Sequence, residues 1–210
     1  MQPRTTPRPL TSAFEMLYGP MVPAYEMLMG LLHDGQWWAW QRHAWKLATV
    51  DQDARLDVLE IGCGTGRMLA TLAGEGHHVT GMDRSERMVR RASKRHDQVT
   101  SASVTEMPFQ SESFDAVVGM FFPLRVLHNP AAWQEIARVL RPDGMFLYVH
   151  WAYMRGLLYP RLRKLAYGAR YEQPLGDLPE IAARYVTVEQ HVFADRKGHR
   201  VYYLVCRKEP

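Results

Sequence analysis

The sequence predicts an α/β protein built on a mostly parallel sheet, and three observations carry that expectation. From residue 56 onward, short apolar runs alternate with helix-periodic segments. The runs end in turn or polar residues: "LDVLEIG" stops at Gly62 and "HHVTGMD" at Asp83. The last part of the chain, 184–208, reads as two alternating strands around "DRKG", a β-hairpin. Strand–helix–strand units cross over right-handedly and place helices on both faces of a parallel sheet. The terminal hairpin must then add an antiparallel strand.

Each element follows from its own pattern. Apolar residues at 14, 17, 18, 21, 22, 25, 28, 29 and 32 have a helical period. Gly19, Pro20 and Pro23 interrupt it, which predicts two short helices with a break. A further helix is expected over Gln36–Thr49, carrying Trp37, Trp38, Trp40 and Trp45. Strand one is 56–62, and "RMLATLAGEG" is a helix stopped by Gly74 and Gly76. Strand two is 77–83. The next helix runs from Ser85, an expected N-cap, to His96. Strand three is 98–104 and strand four 114–122. "AAWQEIARVLRPDG" is a helix closed by a Pro-Asp-Gly turn, and "MFLYVHW" is strand five. A basic, aromatic stretch occupies 154–174.

Composition sets limits. A length of 210 residues suggests one domain, residues 1–210, with 1–50 a helical cap and 56–210 the sheet core. A net charge of +4 makes no bulk electrostatic case for nucleic acid. Cys63 and Cys206 form neither a disulfide framework nor a metal pattern, so a cytoplasmic protein with no metal is expected. No apolar run approaches the ~18 residues of a membrane span. The N-terminal "MQPRTTPRPL" lacks the apolar core of a secretory signal.

In open α/β sheets, ligands sit beyond the carboxyl ends of the strands. The topology places Glu60 to Gly66, Asp83, Ser103–Val104 and Met120–Phe121 there. A dinucleotide site needs G-x-G-x-x-G with the pyrophosphate on the helix N-terminus. Here the spacing is Gly62, Gly64, Gly66, and Glu60 would face the phosphates. A cofactor without phosphate and with positive charge suits the loop better. S-adenosylmethionine is one, and Asp83 could accept hydrogen bonds from its ribose hydroxyls.

Together, "VLEIGCGTG", "VTGMD", "MPFQSESFDAVVGM" and "EIARVLRPDGMFLYV" resemble the class I S-adenosylmethionine-dependent methyltransferases. The likeness covers roughly 56–149 and is strongest to the small-molecule branch that includes ubiquinone and menaquinone biosynthesis enzymes. The resemblance implies a Rossmann-like seven-stranded sheet of order 3-2-1-4-5-7-6 with strand seven antiparallel. It implies that Glu60, Gly62, Cys63, Gly64 and Gly66 surround the methionine moiety and that Asp83 holds the ribose. Arg84 and Met88 would lie beside the adenine, and Met120 and Phe121 beside the sulfonium. Ser103 and Val104 stand where the family commonly has an acid and a small apolar residue. Tyr18 and Tyr25-Glu26 resemble the family's N-terminal Y-x6-Y-[DE] element, which closes over the cofactor.

The remaining features have plainer readings. The tryptophans read as packing, and Cys63 as a small residue in a tight turn rather than a nucleophile. His128, in the loop after strand four, is the candidate catalytic base, weighed against a surface histidine. His33, His150 and Tyr153 are weaker candidates. Arg155, Arg161, Arg163, Lys164 and Arg170 form a solvated face or an amphipathic lid touching a membrane surface or an anionic substrate. The expected partner is a small apolar, aromatic or lipid-like acceptor, not nucleic acid. "GMFF" stands where amino-group methyltransferases of nucleic acid carry [DNS]-P-P-[YFW]. Two rival classes remain open at this point: a non-catalytic S-adenosylmethionine-binding protein and an NAD(P)-dependent oxidoreductase.

Overall fold

The computed structural model describes residues 26–27, 30, 35–49, 54–153, 178–194 and 200–209. Tyr18, Tyr25, His33, the basic stretch at 155–170 and the hairpin tip lie outside the described residues. The described elements, in chain order, are α1 (Trp37–Ala48), β1 (Asp57–Ile61), α2 (Arg67–Gly74), β2 (His78–Asp83), α3 (Glu86–Ala92), β3 (Val99–Ser101) and β4 (Phe114–Met120). There follow α4 (Leu124–Leu127), α5 (Pro130–Val139), β5 (Leu140–Tyr153), α6 (Leu178–Ala182), β6 (Thr187–Ala194) and β7 (Arg200–Arg207).

The strands form one seven-stranded sheet of order β3-β2-β1-β4-β5-β7-β6. Neighbours from β3 to β5 are parallel, and β7 runs antiparallel between β5 and β6. The order and the reversed strand are those the family resemblance implies. β1 sits mid-sheet, and Val58, Leu59 and Ile61 are fully buried. A parallel strand covered on both faces reads as a near-continuous apolar run, as this one does.

Two cores follow from the alternation. Val58 joins Met68, Leu69, Leu72 and the tryptophans of α1 on one face. Leu59 and Ile61 join Trp133, Ile136 and Phe146 on the other, under α5. α1 lies along the first face. Its first residue, Trp37, stacks on Phe121 just past β4, while Trp45 meets the edge of His77 just before β2. Trp37, Trp40 and Trp45 are buried, which is the packing role expected of them.

Several boundaries differ from the sequence expectation. Strand three shrinks to Val99–Ser101, and Ser103 makes only an isolated bridge to Glu106. The helix from Ser85 stops at Ala92, with Ser85 Oγ accepting from the Met88 amide at 3.4 Å. The Pro-Asp-Gly segment does not close a helix. α5 ends at Val139, and Leu140 already pairs with Phe114 at the start of β5. Asp143, with φ 61°, lets the strand kink there and resume pairing at Met145. Gly76, rather than Gly74, takes the left-handed φ (97°) after α2. α4 and α6 are single turns that periodicity over so few residues does not reveal.

The turn from β1 into α2 is held from outside. Gly66 has φ 75°, and a Cβ there would lie 2.8 Å from Ala92 Cβ and 2.9 Å from its Cα. Gly64 also has positive φ (55°), but a Cβ there meets nothing within 4 Å. Gly64→Ala is therefore expected to cost about 1–2 kcal/mol for the left-handed backbone alone. Gly66→Ala adds overpacking, for about 2–5 kcal/mol in all. Urea unfolding of the two variants tests this; equal losses would show that the α3 contact does not constrain the turn.

Candidate functional site

The β1–α2 turn and the end of β2 lie side by side because β1 and β2 pair in register from Asp57↔His78 to Ile61↔Met82. The turn is closed by its own bonds. The Cys63 amide donates to Met82 O at 3.0 Å and the Gly66 amide to Cys63 O at 2.9 Å. The Gly64 amide donates to Asp83 Oδ2 at 2.9 Å, and the Ser85 amide to Asp83 Oδ1 at 2.8 Å. A phosphate-cradling turn aims its amides outward at the ligand. Here three amides of the turn are already spent on protein acceptors.

The charge at the site points the same way. Glu60 is 3% exposed on the α2 side of β1, and its Oε2 has no hydrogen-bond partner. Gly66, the N-cap of α2, offers no side-chain cap, and the Leu69 amide of the first turn bonds the Glu60 carboxylate instead. Burial, with the charge of Asp83 added, pushes the Glu60 carboxyl up to about 8. Burial also raises Asp83, against the bonds from Ser85 and Gly64. The Cys63 thiol is pushed far up by burial and by both carboxylates. It is no nucleophile, since the thiolate is the reactive form. An orphaned buried carboxylate next to an acid whose oxygens keep spare lone pairs fits a ligand with an ammonium group and vicinal hydroxyls. It does not fit a pyrophosphate.

The other wall lies past β4. Met120 is buried, and Phe121 takes φ 57°, uncommon for a bulky residue. Its ring stacks on Trp37 with centroids 3.9 Å apart and planes 20° apart. Phe122 lies over the glycine turn: a Cβ on Gly62 would be 2.7 Å from Phe122 Cδ2. Tyr148 Oη donates to Phe122 O at 2.8 Å and lies 3.3 Å from His150 Nδ1. Burial pulls His150 down to about 4, so it is neutral at pH 7 and a poor base.

The remaining candidates spread out. Met88 is buried, Arg84 is exposed, and Val104 is buried in the α5-side core. Ser103 Oγ lies 2.9 Å from Thr105 Oγ1. His128 is exposed at the end of α4. Tyr153 ends β5. Among the described residues no group of His, Cys, Asp and Glu could hold a metal ion. Sequence reasoning missed Phe122's seat over Gly62 and the bond from Arg95 to Thr65 O in the turn. Arg95 sits in "RRASKR", which reads as a solvated basic face.

A family model described as a methyltransferase domain matches residues 58–144. Over that stretch the chain resembles the methyltransferase family. The chain is 32% identical over 161 residues to a demethylmenaquinone methyltransferase of Tropheryma whipplei, covering 73% of this chain. The match spans 65% of that relative, under two thirds of its length. It is 28% identical over 203 residues to a 2-phytyl-1,4-naphtoquinone methyltransferase of Synechococcus elongatus, covering 90% of this chain and 84% of the relative. A solved Thermotoga maritima structure, described as a possible histamine N-methyltransferase, shares the fold at TM-score 0.64 and 18% identity. It covers 92% of this chain and 99% of its own.

The state of Glu60 gives the protein a measurable pH dependence. Its carboxyl titrates near 8 in the free protein, and a cationic ligand favours the ionised form. S-adenosylhomocysteine affinity should therefore rise as pH rises toward 8, and binding at pH 7 should release most of one proton. Calorimetry in two buffers of different ionisation enthalpy counts that proton, and Glu60→Gln should remove it. Stability runs the other way. A carboxyl raised in the folded state contributes stability that is full below about 4.5 and is lost as pH rises through about 8. Urea midpoints of the free protein should fall over that window, and less so in Glu60→Gln.

Proposed function

We propose that the protein transfers the methyl group of S-adenosylmethionine to a small apolar, aromatic or lipid-like acceptor of quinone type. The observation that carries the cofactor site is the buried, partly unpartnered Glu60 carboxylate behind a turn three of whose amides are spent on protein. In this reading Glu60 and the turn Gly62, Cys63, Gly64 and Gly66 hold the methionine end, and Asp83 holds the ribose. Arg84, Met88, Ser103 and Val104 border the adenine. Met120 and Phe121 border the sulfonium, and Tyr18 and Tyr25 close over it.

When bound, the cofactor supplies a methyl group on a positively charged sulfur that leaves as a neutral thioether. The chain's part is to align, to exclude water and to keep a carboxylate near positive charge. Proximity and orientation alone are worth about 7–11 kcal/mol in favourable cases. The stacked Trp37 and Phe121 and the overlying Phe122 give the acceptor side an aromatic surface, which suits a flat, apolar ring. The names of the two quinone methyltransferase relatives support that acceptor class. His128 is the proposed base for an acceptor that must lose a proton. Residues 155–170, basic and apolar in alternation, are proposed to touch the membrane surface where a lipid-tailed acceptor resides. Among the described residues no helix is long and apolar enough to cross a membrane. A cytoplasmic setting is proposed, in keeping with two free, buried cysteines.

Calorimetry with S-adenosylhomocysteine and NADH tests the cofactor reading. The first should bind and the second should not; the reverse would overturn it. Asp83→Asn keeps the shape but removes the charge and replaces one accepting oxygen by an NH2 that can only donate, and should weaken S-adenosylhomocysteine roughly ten- to a hundredfold. An unchanged dissociation constant would put the ribose elsewhere. S-adenosylhomocysteine release should be seen with hydroxylated naphthoquinones in reduced form and not with small polar amines. The opposite preference would overturn the acceptor class.

A further inference from the structure

Arg95 lies outside every motif, in the turn after α3, yet it touches the centre of the site's main turn. Its Nη1 donates to Thr65 O at 3.0 Å. Thr65 is 4% exposed and stands between Gly64 and Gly66. The same guanidinium nitrogen donates to the Glu26 carboxylate. Arg67, the first residue of α2, lies 3.6 Å from the other oxygen of Glu26. The end of α3 presses on the turn a second time, where Ala92 fills the space a Cβ on Gly66 would need.

This is more than a surface ion pair. An isolated exposed pair contributes about 0–1 kcal/mol and orders little else. Here one guanidinium nitrogen serves a carboxylate and a backbone carbonyl together, so the two acceptors are held at a single point. The side chains are only 32% and 23% exposed. Partial burial pushes the Glu26 carboxyl up, but hydrogen bonds from Arg95 and Thr65 and the charges of Arg95 and Arg67 outweigh it, and the group is held low. Glu26 is therefore ionised at neutral pH, and its charge faces those two arginines.

We propose that Arg95 is a positioning residue: it joins Glu26 to the Thr65 carbonyl, so that the glycine turn is ordered for the cofactor only while the Glu26–Arg95 pair is made. The inference rests on the cofactor reading of the turn given above. It assigns Arg95 no contact with the ligand. Its effect passes through the conformation of residues 62–66.

Four variants test it: Glu26→Gln, Arg95→Met, the double variant and Arg95→Lys. S-adenosylhomocysteine affinity is measured by calorimetry, and each folded state is verified by its urea midpoint. Each of the first two substitutions should weaken binding about five- to tenfold, and the double variant should be no weaker than either alone. Arg95→Lys, which keeps the charge on a differently shaped head group, should fall between wild type and Arg95→Met. Hydrogen exchange of the peptide covering 60–66 should quicken in free Glu26→Gln, a readout that involves no ligand. Variants within twofold of a binding wild type, additive losses in the double variant, or unchanged exchange would each overturn the role of Arg95. Wild-type protein that binds no S-adenosylhomocysteine would overturn the cofactor reading and this inference with it.

Discussion

The hydrogen bond from the Gly64 amide to Asp83 Oδ2 is the constraint on which the carboxyl edge of the sheet depends. It ties the turn after β1 to the end of β2. The same carboxylate takes the Ser85 amide, whose own side chain caps α3. One acid thus sets the turn, the exit of a strand and the start of a helix. Because the Cys63, Gly64 and Gly66 amides are satisfied inside the protein, the turn offers fewer N–H groups and sits beside two carboxyl groups. That inverts the preference of a glycine-rich turn from anion to cation.

Glu60 completes the inversion at a thermodynamic cost. A buried carboxylate with one oxygen unpartnered destabilises the free protein and is relieved by a positive ligand or by a proton. The fold tolerates it because β1 is covered on both faces, with Val58, Leu59 and Ile61 fully buried around it. Poor local stability and good ligand complementarity are the same fact seen from two states of the site.

The aromatic wall is built differently. Trp37 belongs to a helix that packs along a whole sheet face, yet its ring ends against Phe121. Phe121 is held in a left-handed conformation next to a carbonyl anchored by Tyr148. Such strain persists only where the surroundings over-determine it, and here a stacked ring on one side and a hydrogen bond on the other do so. Core packing and the lining of the site are shared by the same residues, which makes the aromatic pattern of the sequence ambiguous by itself.

Much of this architecture was legible along the chain. Apolar runs of buried strands, the Ser85 cap and the spacing of Glu60, Gly62, Gly64, Gly66 and Asp83 are local signals, and they determined the strand sequence and the place of the glycine turn. The Pro-Asp-Gly segment misled because turn chemistry does not say whether a turn ends a helix or kinks a strand; pairing of Leu140 with Phe114 decided that. The contacts that only the tertiary structure decided are distant in sequence. Tyr148 reaches a carbonyl 26 residues away, and Arg95 reaches Thr65 over 30 residues and Glu26 over 69. A strand's burial or a turn's backbone is written in adjacent residues, because sterics and periodicity act over a few positions. An arginine in a basic run carries no mark of its partner, because that partner is chosen by how α3 packs against the β1–α2 turn.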